Sequence, residues 1–264
     1  MANYEIVHIA IAPLDLLETN LVNKVAAIIN KDLYGTRLLL TGKIPRVIAQ
    51  YQAFQAAESA AQSLRALGLV SIVCKDSELR KLSLIGFRAH SLILGQGEVT
   101  FCTKGGEART IKPENVFLIL KGIAQTRTEK EVTTTKMKFS LTSTLLTGVP
   151  IQRKVKEKTI ETSVQNEYFI RLYDRKSSEP NVEIFQYNFD YSFLGKKMAP
   201  SSLINLNTTV TELRNTFPQA VFDDRLTKAF QVDVPSCMPG DDNEVNCKLI
   251  YLYYQALSSL GPSA

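Results

Sequence analysis

Read from the amino end, the hydrophobic pattern changes period several times, and each change marks an element. Residues 5–12, Glu-Ile-Val-His-Ile-Ala-Ile-Ala, make a compact apolar run that Pro13 stops, which predicts a strand. Leu14, Leu17, Leu21, Val25, Ile28 and Ile29 follow at the spacing of one helix face. Residues 36–40 read as a second strand, Thr41-Gly42-Lys43 as a turn, and residues 46–51 as an antiparallel return. The alanine-rich stretch 52–67 places Ala53, Ala56, Ala57, Ala60, Leu64 and Leu67 on one stripe, with Gly68 positioned to end a helix. Residues 70–74 supply a further apolar strand.

This βαββαβ order over residues 1 to 80 matches the ferredoxin-like sandwich. From residue 84 short strands take over: 88–94, then 99–104 after Gly95-Gln96-Gly97, then 116–120 after Gly105-Gly106. Turn residues recurring at this interval indicate an antiparallel meander. The pattern resumes at 168–173 and 182–193, before a helix carrying Leu203, Leu206, Val210, Leu213 and Phe217, with Ser201 or Ser202 as its cap and Pro218 beyond its end.

The runs Phe87-Arg-Ala-His-Ser-Leu-Ile-Leu, Val99-Thr-Phe and Ile111-Lys-Pro-Glu-Asn-Val-Phe-Leu-Ile-Leu, separated by glycine turns, resemble the first strands of bacterial pleckstrin-homology-like domains. Later strands and a single closing helix fit the same outline. The amino-terminal part resembles ferredoxin-like modules that precede such domains in bacterial two-domain proteins. The resemblance implies an architecture and no activity. The expected class is therefore α+β: a ferredoxin-like domain at 1–82, a pleckstrin-homology-like β domain at 83–230, and a tail with a helix at 231–264.

Charge sets one stretch apart. The 264 residues carry a formal net charge of +5. Residues 121–161 hold nine Lys or Arg against four Glu, so the excess resides there and the rest is neutral. This insert is longer than a hairpin turn needs. Lys136, Lys138, Arg153, Lys154, Lys156 and Lys158 are its candidate contacts to nucleic acid or an anionic surface, set against a solvated arm rich in Thr and Ser.

Apolar residues at 45% and charged ones at 22% describe an ordinary globular chain. No apolar stretch has the ~20 residues that cross a bilayer, the first apolar run lacks the basic flank of a signal peptide, and no lipidation motif is visible, so a cytoplasmic location is expected. Cys74, Cys102, Cys237 and Cys247 lack zinc-binding spacing and read as reduced thiols; Cys237 and Cys247 flank one acidic turn.

Candidate chemistry is sparse. His8 and His90, the two histidines, lie in separate apolar runs, and His90 reads as half-buried with a local hydrogen bond. There is no nucleophile elbow, Walker loop, dinucleotide fingerprint or kinase motif set, and no cofactor is expected. Asp223-Asp224 and Asp241-Asp242 read as solvated turn residues. Phe185, Tyr187, Phe189, Tyr191 and Phe193 alternate with polar residues, which puts all five on one face of a strand, as a core or as a base-stacking surface. The leading expectation is a non-catalytic interaction or regulatory protein with a protein or peptide partner. Binding of nucleic acid or an anionic surface through 121–161 is the alternative. An enzyme with a site between the domains ranks last, and self-association is left open.

Overall fold

The computed structural model describes residues 5–14, 16–80, 86–139, 152–228 and 242–259, with side chains for all of these except 125–139, 152–165 and 242. The chain is α+β, with three mostly antiparallel sheets. It divides into two compact units, Met1–Ile123 with Tyr168–Ala264, and Ala124–Glu167.

The amino-terminal elements are β1 (Val7–Ile11), α1 (Thr19–Ile29), α2 (Leu33–Leu40), β2 (Arg46–Tyr51), α3 (Phe54–Ala66), β3 (Ser71–Lys75) and α4 (Asp76–Arg80). The strands form an antiparallel sheet ordered β2-β1-β3. The expected strand at 36–40 is instead the second half of α2. Asp32 caps that helix by accepting the Gly35 N–H at 2.7 Å, and Thr36 and Leu40, four apart and so on one face, are both buried. The order is therefore βααβαβ, and the hairpin expected between 36–40 and 46–51 does not form.

Ala57, Ala61 and Leu64 on α3 are fully buried, because small side chains let the helix lie close to the sheet. Gly68 ends it at a φ of +82°, with the Leu69 N–H returning to Leu64 O at 3.2 Å. Every residue of β1 is buried. Val7, Ile9 and Ile11 meet α1 and α3 on one face. On the other face Ala10 joins Val47, Ile72, Cys74 and Leu79 beneath Leu249. That second cover is the C-terminal helix, Asp242–Ser259, with Val245, Leu252, Tyr253 and Ala256 packed around the same cluster. A strand covered on both faces reads as a continuous apolar run, as 5–12 does.

The β part contains β4 (Arg88–Ala89), β5 (Ser91–Leu94), β6 (Val99–Cys102), β7 (Ala108–Ile111), β8 (Leu118–Phe139), β9 (Gln152–Tyr173), β10 (Val182–Phe185), α5 (Ser202–Thr216) and β11 (Val221–Leu226), ahead of the C-terminal helix, α6. One sheet runs β11-β8-β9-β10-β4 and the other β5-β6-β7. Both pack with α5 around Phe101, Ile119, Ile170, Leu172, Ile184, Leu206, Leu213 and Phe217. The expected strand 88–94 divides at His90, whose N–H donates to Cys102 O at 2.7 Å and whose carbonyl accepts from Asp190 N at 2.6 Å.

The expected strand 182–193 ends at Phe185. Tyr191 turns inward and donates its hydroxyl to Gln186 O at 2.9 Å. Gln186, one of the polar residues alternating with the aromatics, is buried and donates to Ser202 Oγ at 2.8 Å. Phe189 and Tyr191 enter the core, Phe185 and Phe193 are partly buried, and Tyr187 is exposed. Their grouping arises from a turn followed by a 3-10 segment rather than from alternation along one strand.

Among the described residues no helix is long and apolar enough to cross a membrane.

Candidate functional site

The residues singled out by charge lie on the two longest strands. Lys136 and Lys138 fall in β8, and Arg153, Lys154, Lys156 and Lys158 in β9; their side chains lie outside the described residues. Cys237 and Asp241 also lie outside them.

His8 and His90 are far apart in role. His90 Nδ1 lies 2.7 Å from Asn188 O and ties the β4–β5 corner to the turn after β10. His8 is buried beneath α4, with Nε2 2.7 Å from Asp76 Oδ1, and Arg80 Nε donates to the same oxygen at 2.8 Å. Burial works against the Asp76 carboxylate, and the bonds from Arg80 and His8 outweigh it, so its pKa is lowered. Among the described residues no three His, Cys, Asp or Glu side chains gather at metal-holding distance.

Asp223 is not solvated. It is buried and accepts from Arg225 Nε at 2.8 Å and from a terminal Arg225 nitrogen at 2.6 Å, while Asp224 is half-buried near Lys228. A second interior charge group was not anticipated. Arg171 on β9 and Glu183 on β10 face each other across the ladder, with Arg171 Nε 2.8 Å from Glu183 Oε1. Glu244 of α6 meets the other end of the guanidinium. Burial opposes the Arg171 charge, and Cys247, Tyr173, Glu244 and Glu183 around it outweigh burial, so its pKa is raised. Lys248, one turn further along α6, is buried 3.6 Å from Glu179 and donates to Glu78 O at 3.3 Å. These contacts hold α6 between the two sheets, where Tyr251 packs against Phe117 and Tyr173 at ring distances of 5.9 and 5.5 Å. The group is enclosed and serves to seat a helix.

An accessible site with convergent polar groups lies beside β7. There an open groove of about 510 Å³ is lined by Arg109, Thr110, Ile111, Glu114, Asn115, Asp174, Arg175, Lys176 and Asn181. One wall is the edge strand, and the other is the loop between β9 and β10. Asp174 shapes that loop as an Asx turn: Oδ1 accepts the N–H groups of Lys176 and Ser177 at 2.7 and 2.9 Å, and Oδ2 accepts Asn181 Nδ2 at 3.1 Å. Its carboxylate is thus engaged inward.

The cations are placed by their neighbours. The Arg109 guanidinium lies 4.5 Å from the Phe87 ring centre and donates to Asn181 O at 2.7 Å. That of Arg175 lies 4.5 Å from the Phe117 ring centre. Stacking holds a guanidinium in place without neutralising it. Among the described residues no carboxylate pairs with Arg109, Arg175 or Lys176 within 4.0 Å. Three cations thus line a concave surface and remain available to an acidic ligand.

Little in the sequence marks this groove. Arg109 comes from a strand inside a stretch read as turn, and Arg175 and Lys176 from a loop 66 and 67 positions later. The local signal was Asp174 followed by Arg-Lys-Ser, a carboxylate ahead of residues whose N–H groups it can accept. No protein-family model matches the chain, and no curated protein or solved structure matches it either.

Proposed function

We propose that this chain is a non-catalytic interaction protein that binds a segment of a partner protein in the groove beside β7. The observation that carries this reading is the set of three carboxylate-free cations on one concave surface. Two of them are fixed over aromatic rings, so little side-chain entropy remains to be lost on binding. The strand meander followed by α5 supports the pleckstrin-homology-like reading of the β part. The ferredoxin-like reading of the amino-terminal part has helices against an antiparallel sheet in its favour, with three strands where four were expected.

The test compares proteins retained from a bacterial lysate by the native chain and by R109E/R175E, both shown by thermal melting to be folded. The expected result is at least one protein kept by the native chain and lost with the variant. Identical retention by both refutes the groove as the contact surface.

A second reading rests on the chain's whole positive excess falling within residues 121–161, most of which belong to β8 and β9. Nucleic acid binding there would weaken steeply with salt. Absence of any gel shift with RNA or DNA at low salt refutes it.

A further inference from the structure

Resting on that groove reading, we propose that the partner segment is acidic and extended, and that it binds by adding a strand to the edge of β7 that no strand pairs among the described residues. The argument begins with the ladder. Strand β7 ends the sheet β5-β6-β7, paired on one side with β6 from Val99↔Ile111 to Cys102↔Ala108. Thr103 N–H donates to Glu107 O at 2.8 Å at the start of this pairing. On the far side of β6, Glu98 O accepts from Gly95 N at 2.9 Å and Cys102 O from His90 N at 2.7 Å. Even-numbered residues of β6 therefore serve β5 and odd-numbered ones serve β7. Across that register Arg109 and Ile111 turn their backbone groups to β6. Ala108 and Thr110 turn theirs outward, presenting two N–H and two C=O groups on an exposed edge.

Such an edge is a template for another strand, and proteins guard theirs with charge. Here the guard is selective. Arg109, Arg175 and Lys176 repel a second copy of the same edge, which carries the same cations, and attract a strand bearing carboxylates. Glu114 is the one lining carboxylate not engaged by its own loop. Main-chain bonds would then supply affinity irrespective of side chains, and carboxylates at every second position would supply selectivity. A polyanion without backbone N–H groups, such as nucleic acid, satisfies the cations and leaves the edge unpaired.

The experiment measures binding of fluorescent peptides with alternating Glu and Val to the full chain by anisotropy at low salt. Two derivatives are N-methylated on alternate residues, one set each, and a control has Lys in place of Glu. The Glu peptide is expected to bind, the Lys peptide not to bind, and one methylated derivative to lose about tenfold or more in affinity while the other loses little, since only one set faces the edge. Thr110→Pro, which removes an outward N–H and keeps the backbone bonds to β6 while losing the 2.8 Å hydroxyl bond to Thr100, is expected to weaken binding by a similar factor, with Thr110→Val as the control that loses only that hydroxyl bond. The methylated peptides carry the test if the proline variant fails to fold. Equal binding of all three Glu peptides overturns strand addition, and leaves the groove reading intact if R109E/R175E still abolishes it. No binding of the Glu peptide overturns the proposal, while lysate capture that depends on Arg109 and Arg175 would preserve the broader reading.

Discussion

Arg171 shows how a single interior charge organises its surroundings. It faces Glu183 across the strand pair and Glu244 on α6, so replacing it leaves Glu183 buried with Arg88 3.8 Å away as its remaining cation. Arg171→Met is expected to destabilise the protein by about 3–5 kcal/mol, the usual cost of breaking a buried pair. Urea unfolding of the double variant R171M/E183L should recover most of that loss, because neither charge is then stranded. A double variant no more stable than the single one would mean that Glu244 contributes the larger share. The thiols give a second test at this scale. Burial pushes Cys74 up to about 12 and Cys247 up to about 11, whereas Cys102 is only half-buried. Since the thiolate is the reactive species, iodoacetamide should label Cys102 in the native protein and spare Cys74 and Cys247 until urea unfolds it. Peptide mapping by mass spectrometry reads this directly, and native labelling of either buried thiol would contradict the packing around α6.

At the scale of elements, periodicity located what depends on local pattern and missed what depends on neighbours. The α3 helix and the α5 face were legible because small or apolar residues recur at helical spacing over several turns, although on α3 the buried line is Ala57, Ala61 and Leu64, and Ala53 and Ala56 of the expected stripe are exposed. Residues 36–40 were not, since the short run Thr-Arg-Leu-Leu-Leu suits either state and the deciding group, Asp32, lies outside it. The alternation at 185–193 failed for a tertiary reason: Gln186 finds Ser202 and Tyr168 inside, so a nominally polar position is buried. The groove was illegible because Arg109 and Arg175 acquire meaning only when Phe87 and Phe117 come beneath them. Close packing also explains Gly122 on β8. A Cβ there would lie 2.8 Å from Phe169 Cε1 and 3.1 Å from Leu226 Cβ. Phe169 is itself buried and has little room to yield. Gly122→Ala is therefore expected to cost about 1–3 kcal/mol, as overpacking does. Paired thermal melts of Gly122→Ala and Gly105→Ala control for backbone effects, because Gly105 has no positive φ and a Cβ there would meet only Thr103 Oγ1 at 3.8 Å. A Gly122→Ala melt matching the native protein would show that the ring moves aside freely.

For the molecule as a whole, the question is whether the charged strands serve the fold or the function. Among the described side chains, the buried positions of β8 run from Leu118 to Leu120 and Gly122, and those of β9 from Phe169 to Tyr173. The cores that hold the three sheets together therefore draw on the ends of these strands within Met1–Ile123 and Tyr168–Ala264. Phe117 N–H donates to Tyr173 O at 2.8 Å, which sets the start of β8 against the end of β9, so the two run antiparallel and a hairpin turn can close them. Replacing residues 127–164 by Asn-Gly should leave a folded protein with a melting temperature within a few degrees of the native one, since loop-closure entropy changes slowly with length. The replacement removes eight Lys or Arg and four Glu, and so lowers the net charge from +5 to +1. It separates the two functional readings in one molecule. If the groove beside β7 is the binding surface, the shortened protein keeps its affinity for the alternating Glu peptide, because Arg109, Arg175 and Lys176 are untouched. If the basic strands are the binding surface, it loses any gel shift with nucleic acid and the peptide experiment is silent. An unfolded product would show instead that residues 127–164 supply packing that the rest of the chain requires.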